Sequence, residues 1–367
     1  MPKPFKSGTQ LSELETPVAI VEKAVLQRNM QRMKLLAETH NIRLRPHFKC
    51  HKASGFARMQ FELGAAGICC QTAGEAEVAA AAGIPDILIT NQVLHPARLA
   101  RLALLAGKTR IGLCFDNPKQ VDAASAAVQK VETKIDAYIE LDVGGNRCGV
   151  RGSDAAIALA AHISQSPGLH LRGLQAYHGA AQHLRKPAER RRAASAVAEQ
   201  SGAVRSRLTQ SGFDCRIITG GGTGTCVEDA EAGGLSELQP GSYLFMDGDY
   251  GLNETSLSDP FEHSLFILAT VISTRPEHAV IDAGLKSMAF DCGPPRIFGH
   301  DRLEYRNASD EHGVLVPVSG PNPLRLGDRI KLIPGHCDPT INLHDAILLM
   351  DGDRMERVIE IDARGPR

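Results

Sequence analysis

The sequence predicts a parallel (β/α)8 barrel of the TIM type followed by a second, all-β domain. Three observations carry that expectation. Between residues 43 and 245, eight short β-rich runs alternate with alanine-rich amphipathic helices, the pattern of parallel strands joined by helical crossovers. Beyond about Asp249 the helical periodicity fades and short strands follow one another, with turns at Gly327-Asp328 and Asp351-Gly352. With 367 residues and 43% hydrophobic content, the chain can bury one large core or two moderate ones. An open doubly wound sheet is the alternative arrangement of the same alternation.

Taken in order, residues 16–21 read as a strand entered through Pro17, which cannot donate to a ladder. This strand precedes the barrel and is expected to pair into the β domain. The chain then divides into a barrel over residues 22–248 and a β domain over 1–21 plus 249–367. Barrel strands are expected at 43–48, 67–71, 86–90, 110–115, 134–141, 169–177, 216–219 and 237–245. Helices are expected at 24–40, 53–63, 73–82, 96–106, 118–130, 154–164 and 188–210, with Gly64, Gly83, Gly107 and Gly212 as left-handed caps. The β-domain strands are placed at 261–272, 279–282, 314–317, 329–333, 346–350 and 358–361.

Charge and cysteine usage exclude several classes of partner. Forty-one basic residues face 42 acidic ones, which favours neither nucleic acid nor an anionic membrane. Nine cysteines without a CxxC pair suggest reduced, mostly buried thiols in a cytoplasmic protein, not a disulfide framework. The first six residues hold no apolar leader segment, and no run is long enough to cross a bilayer. The expectation is an enzyme-sized chain acting on a small molecule.

Five stretches carry chemistry. Lys49, in Arg45-Pro46-His47-Phe48-Lys49-Cys50-His51-Lys52, follows the first barrel strand, where such barrels place reactive groups. Alone it reads as a solvated lysine in a basic turn. Thr219-Gly220-Gly221-Gly222-Thr223-Gly224-Thr225 follows the seventh strand, and Gln239-Pro240-Gly241-Ser242-Tyr243 belongs to the eighth. Barrel phosphate sites form from these two loops, where glycines let backbone N–H groups approach an anion. Arg147, in Asp142-Val143-Gly144-Gly145-Asn146-Arg147-Cys148-Gly149, either reaches an anionic oxygen at the barrel mouth or pairs with Asp142. In Gln175-Ala176-Tyr177-His178-Gly179-Ala180-Ala181-Gln182-His183, His183 is either a general base or a cap for the next helix.

The fifth stretch is Pro334-Gly335-His336-Cys337-Asp338-Pro339-Thr340-Ile341-Asn342-Leu343-His344-Asp345. On an extended segment His336 and Asp338 share a face while Cys337 points away. That pair suits a divalent ion such as Mn²⁺ or Mg²⁺, with Zn²⁺ less favoured. The competing reading is an Asp-Pro turn with a buried histidine.

In this order the motifs resemble the D-threonine aldolase and D-serine dehydratase-like family of alanine-racemase-like (fold type III) pyridoxal 5'-phosphate (PLP) enzymes, from residue 16 to residue 345. The resemblance implies that Lys49 carries PLP as a Schiff base and that Arg147 contacts its phenolic oxygen. Gly222, Thr223, Gly241 and Ser242 would hold the phosphate, with Tyr177 nearby. Gln239 falls where alanine racemases carry an arginine against the pyridine nitrogen. Dehydratases of the family pair the metal-binding histidine with a cysteine two residues on, whereas the aldolases carry aspartate there. His336-Cys337-Asp338 therefore points to an aldolase cleaving D-β-hydroxy-α-amino acids, D-threonine or D-3-hydroxyaspartate among them, to glycine and an aldehyde. His183 is its expected base, and a homodimer is expected by analogy. The rivals are a dehydratase of D-serine or D-threo-3-hydroxyaspartate and a non-catalytic PLP carrier. Asp282-Ala283-Gly284-Leu285-Lys286-Ser287 also looks like a family element, without an assigned role.

Overall fold

The computed structural model describes residues 6–255 and 257–365; residues 1–5, read above as lacking a leader, lie outside them. The chain begins with β1 (Val18–Glu22), α1 (Lys23–Thr39), β2 (Arg43–Leu44), α2 (Ser54–Glu62), β3 (Ile68–Cys70) and α3 (Ala73–Ala81). There follow β4 (Asp86–Ile89), α4 (Pro96–Leu105), β5 (Arg110–Phe115), α5 (Pro118–Gln129), β6 (Ile135–Glu140) and α6 (Gly152–Ser164). The barrel is completed by β7 (Leu169–Ala176), α7 (Pro187–Gln210), β8 (Ile217–Gly220), α8 (Cys226–Ala232) and β9 (Glu237–Leu238).

These strands are apolar because both of their faces are covered, as a parallel sheet wrapped in helices requires. All of Ile111–Phe115, for example, is buried. The sheet runs β2-β9-β8-β7-β6-β5-β4-β3, and its ends meet through a parallel bridge between His47 and Cys69, where Cys69 N–H donates to the Pro46 carbonyl at 2.8 Å. A ring in sequence order rules out the doubly wound alternative. Low in the ring, buried Arg45 donates to Glu237 Oε2 at 2.8 Å and Asp86 Oδ1 at 2.7 Å.

The second sheet contains β10 (Leu265–Arg275), β11 (His278–Ile281), β12 (Arg296–Ile297), β13 (Leu303–Ala308) and β14 (Gly313–Pro317). It also contains β15 (Arg329–Ile333), β16 (Ala346–Asp351) and β17 (Arg354–Glu360), with α9 (Cys337–Ile341) between β15 and β16. β1 joins this sheet, antiparallel to β10 and parallel to β16. Asp282 accepts the Thr270 N–H at 2.7 Å and the Thr16 hydroxyl at 2.5 Å, so it latches the lead-in to β1 onto β10. All nine cysteines are free and seven are buried. Among the described residues no helix is long and apolar enough to cross a membrane.

Four expectations need correction. The strand expected at 43–48 ends at Leu44; the chain then turns through a 3-10 helix at Phe48–Cys50. The strand expected at 237–245 stops at Leu238, because Pro240 has no N–H to offer, and Ser242–Leu244 forms another 3-10 turn. Of the four expected caps, Gly64, Gly83 and Gly212 take positive φ and Gly107 does not. Most consequentially, the His336–Asp338 stretch is not extended. His336 is the N-cap of α9, which places Pro339 in the first turn, where its missing N–H costs nothing. A period of two therefore cannot be the reason for bringing His336 and Asp338 together.

Candidate active site

The turn at Phe48–Cys50 brings Lys49 over the barrel mouth. Its N-cap, His47, accepts the Lys49 N–H through Nδ1 at 3.3 Å and contacts Thr90 Oγ1 through Nε2 at 3.1 Å. Burial, reinforced by the Lys49 ammonium, pushes the His47 imidazole down to about 3, so the ring is neutral and Nε2–H donates to Thr90. Lys49 Nζ donates to Asp338 Oδ2 at 2.5 Å. The Asp338 carboxylate raises the Lys49 ammonium above its ordinary value, against the effect of burial. Burial opposes ionisation of Asp338 in turn, yet Lys49 outweighs it and holds the carboxyl at about 2. Lys52 is committed to Glu75 at 2.6 Å and Lys286 to Glu311 at 2.8 Å on the surface.

Lys49 lines a cavity of about 170 Å³. Arg147, Tyr177, Gly222, Thr223, Gln239, Gly241 and Ser242 line the same cavity, so the structure gathers every residue expected at the cofactor. Gly221 takes φ +68°, and a Cβ on Gly222 would fall 2.5 Å from Gln182 Oε1. Buried Gln182 ties the two loops together: Oε1 accepts the Gly224 N–H at 3.0 Å and Nε2 donates to Thr225 Oγ1 at 2.8 Å. Thr223 Oγ1 accepts the Tyr243 N–H at 3.0 Å, binding the two anion loops to each other. Gln239 and Gln175 exchange amide hydrogen bonds of 2.8 and 3.0 Å, and Gln239 also donates to Thr219 Oγ1 at 2.8 Å. A phosphorylated aldehyde fits this wall. Two glycines leave room for a phosphate against the backbone, two hydroxyls stand beside them, and an amine faces a neutral amide.

Arg147 does not pair with Asp142, which is held by Arg151 at 2.8 Å; its guanidinium lies 5.5 Å over the Tyr177 ring. His178 packs against Gly144, and its buried Nδ1 has no partner among the described residues. His183 closes a 3-10 turn at Ala180–His183 and does not cap α7, whose N-cap is Lys186. His183 Nδ1 meets Asp249 Oδ2 at 2.5 Å, and the ring stacks on Tyr250, another residue of the cavity wall. Burial works against ionised Asp249, but hydrogen bonds from Arg185 and His183 hold it below the usual carboxylate range.

His336 Nδ1 meets Asp291 Oδ2 at 2.7 Å, which leaves Nε2 free for a metal. The donor atoms of Asp291, Cys292 and His336 lie within 4.8 Å of one another, although Asp291 and Cys292 are exposed and Lys49 bonds to Asp338 instead. An imidazole and a buried-side carboxylate suit a divalent ion of intermediate to hard character. A larger surface groove of about 1090 Å³ runs along α1 and contains none of these residues.

Sequence reasoning missed His47, Gln175, Asp249 and Tyr250. Gln175 lies on β7, where strand alternation could have flagged it, whereas His47 lies in the turn beyond β2, beside Lys49. Asp249 and Tyr250 lie in an aperiodic stretch that reads as a domain junction.

Residues 21–249 match the family described as alanine racemase, N-terminal domain, and residues 264–350 match the serine dehydratase domain. A D-threonine aldolase from Arthrobacter sp is 43% identical, over 100% of this chain and 97% of the relative. A 3-hydroxy-D-aspartate aldolase from Paracoccus denitrificans is 38% identical over 99% and 95%. A D-threo-3-hydroxyaspartate dehydratase from Delftia sp. is 29% identical over 90% and 92%. The crystal structure of a D-threonine aldolase from Filomicrobium marinum superposes with a TM-score of 0.95 at 39% identity, covering 99% of each chain.

Proposed function

The chain belongs to the alanine-racemase-like (fold type III) PLP enzymes, and from that premise we propose that it is a PLP- and divalent-metal-dependent aldolase. It cleaves D-β-hydroxy-α-amino acids to glycine and an aldehyde; D-threonine would give glycine and acetaldehyde. The observation that carries this reading is Asp338, a carboxylate 2.5 Å from Lys49 where the dehydratase branch is expected to carry a thiolate. The two aolase relatives are also more similar to this chain, at 43% and 38% identity, than the dehydratase at 29%.

PLP supplies an electron sink for the carbon–carbon bond that breaks, and a divalent metal supplies Lewis acidity toward the β-hydroxyl. Lys49 would carry the cofactor. Gly222, Thr223, Gly241 and Ser242 would hold its phosphate, and Gln239 would face its ring without imposing a charge. Arg147, steadied by Tyr177, offers a cation to an anionic oxygen. His336 and Asp338 would hold the metal. His183 accepts the β-hydroxyl proton at Nε2, since Asp249 occupies Nδ1. The Lys49 amine would be the group that returns a proton to the α-carbon of glycine. The reading includes a homodimer by analogy with other barrel-plus-β-domain enzymes.

Product analysis tests it. D-Threonine is expected to yield glycine and acetaldehyde in equal amounts. Formation of 2-oxobutyrate, or of pyruvate from D-serine, would assign the chain to the dehydratases, and no turnover with bound PLP would point to a carrier.

A further inference from the structure

Asp247-Gly248-Asp249-Tyr250 connects the last barrel strand to β10, and this short loop touches both chemical halves of the site. Asp247 Oδ2 accepts the Cys337 N–H at 2.9 Å, capping the helix that bears Asp338, while Oδ1 accepts the Tyr250 N–H at 2.9 Å. Gly248 N–H donates to the Pro334 carbonyl at 2.8 Å and Asp249 N–H to the Gly335 carbonyl at 3.1 Å. A Cβ on Gly248 would crowd Gly335 Cα at 3.3 Å, so glycine permits the close approach of the two backbones. The loop is thereby zipped onto residues 334–337.

The Asp249 and Tyr250 side chains meet His183. Asp249 Oδ2 lies 2.5 Å from Nδ1, and the Tyr250 ring stacks at 5.7 Å with planes 25° apart. Arg185 secures Asp249 from its other side, donating to Asp249 Oδ1, to its carbonyl at 2.7 Å and to Asn253 Oδ1 at 2.7 Å. Asp249 is mostly buried, its side chain 11% exposed, while the His183 side chain it holds is 48% exposed.

We infer that Asp249 is the positioning residue of His183. It fixes the imidazole as the Nδ1–H tautomer and leaves Nε2 as the proton acceptor, from a loop that is itself tied to residues 334–337. A carboxylate can only accept from the imidazole, so it selects one of two neutral tautomers that are otherwise close in energy. Rotating the ring would break both that bond and the Tyr250 stack. The inference rests on the reading of His183 as the base.

The test compares wild-type, Asp249→Asn and His183→Asn holoenzymes containing PLP and Mg²⁺, a diamagnetic ion that leaves the histidine signals sharp. Nitrogen NMR of ¹⁵N-histidine protein, with His183 assigned by its loss in His183→Asn, should show Nδ1 protonated and Nε2 bare in the wild type. Asp249→Asn should give mixed tautomers and a fall in kcat on the order of 10²-fold, part of what general-base catalysis provides. KM, PLP absorbance and metal content should stay within about twofold of wild type if the effect is on catalysis alone. A wild-type ring protonated at Nε2 overturns the inference, and that spectrum decides even if the variant does not fold. Loss of activity in His183→Asn with full kcat in Asp249→Asn also overturns it. Full activity in His183→Asn would instead remove the base assignment beneath it.

Discussion

Cys337 and Asp338 are adjacent and have opposite surroundings. Cys337 is fully buried and packs in the core of the second sheet, its Sγ 3.4 Å from Asp338 Oδ1. Asp338 is half-buried, its carboxylate against Lys49. A serine at 337 can still donate to Asp338, so the cost of a buried hydroxyl in place of a thiol stays on the order of 1 kcal/mol. Cys337→Ser should therefore keep metal content and turnover while lowering the melting temperature. Asp338→Ala should lose the metal but retain PLP absorbance, because the Lys49 amine and the phosphate loops stay in place, although Lys49 loses its carboxylate partner. If metal analysis shows the reverse pattern, the thiolate is the ligand and the branch assignment is wrong.

At the scale of the element, the loop after β8 depends on the absence of side chains. A methyl group on Gly222 must displace Gln182 Oε1, which is pinned by Gly224 and whose amide nitrogen is pinned by Thr225. Gly222→Ala should weaken PLP binding by about 1–3 kcal/mol, the usual cost of overpacking, or roughly five- to 150-fold in a PLP titration. Unchanged affinity would mean that this loop does not bear the phosphate. Such loops were legible in the sequence because glycine and hydroxyl residues recur after the seventh and eighth strands of an alternating β/α chain. Residues 334–345 were legible as a motif but not in conformation. Pro339 suggested an extended or turn segment, whereas Asp247, 90 residues away, caps the helix that forms there. β12 and β13 were missed for a related reason: Leu303-Glu304-Tyr305-Arg306 alternates clearly, but the run is short and half exposed. The role of Asp249 could not be read at all, since it arises from contacts between remote loops.

Across the whole molecule, α1 fastens the barrel to the second sheet, and the fastening depends on a carboxylate. α1 leaves β1 directly, and Asn29 donates to the Leu244 carbonyl at 3.2 Å and the Glu262 carbonyl at 2.8 Å. Arg28 and Arg32 donate to the Glu262 carboxylate at 2.8 and 2.6 Å, just before β10 begins. The Arg28 hydrogen bond, outweighing burial and helped by Arg32, lowers the Glu262 carboxyl from 4.5 to about 2. A carboxylate depressed in the folded state binds its proton more readily when unfolded. Its stabilisation is thus complete above pH 4.5 and is lost as the pH falls through about 2. With the Glu262 side chain 39% exposed, screening limits the contribution to about 0.5–1 kcal/mol. Asp229 acts in the opposite sense: burial raises its carboxyl to about 7, so its destabilising effect grows as the pH rises from 3.8 toward 7. Absolute stability therefore mixes the two, and the difference between wild type and Glu262→Gln isolates the clamp. In urea unfolding, the wild type should be the more stable at pH 6 and low salt. The gap should narrow steadily below pH 4.5 and shrink at high salt. A gap equal at pH 6 and pH 2.5 would mean that Glu262 acts through packing and that its ionisation does not hold α1 to the chain entering β10.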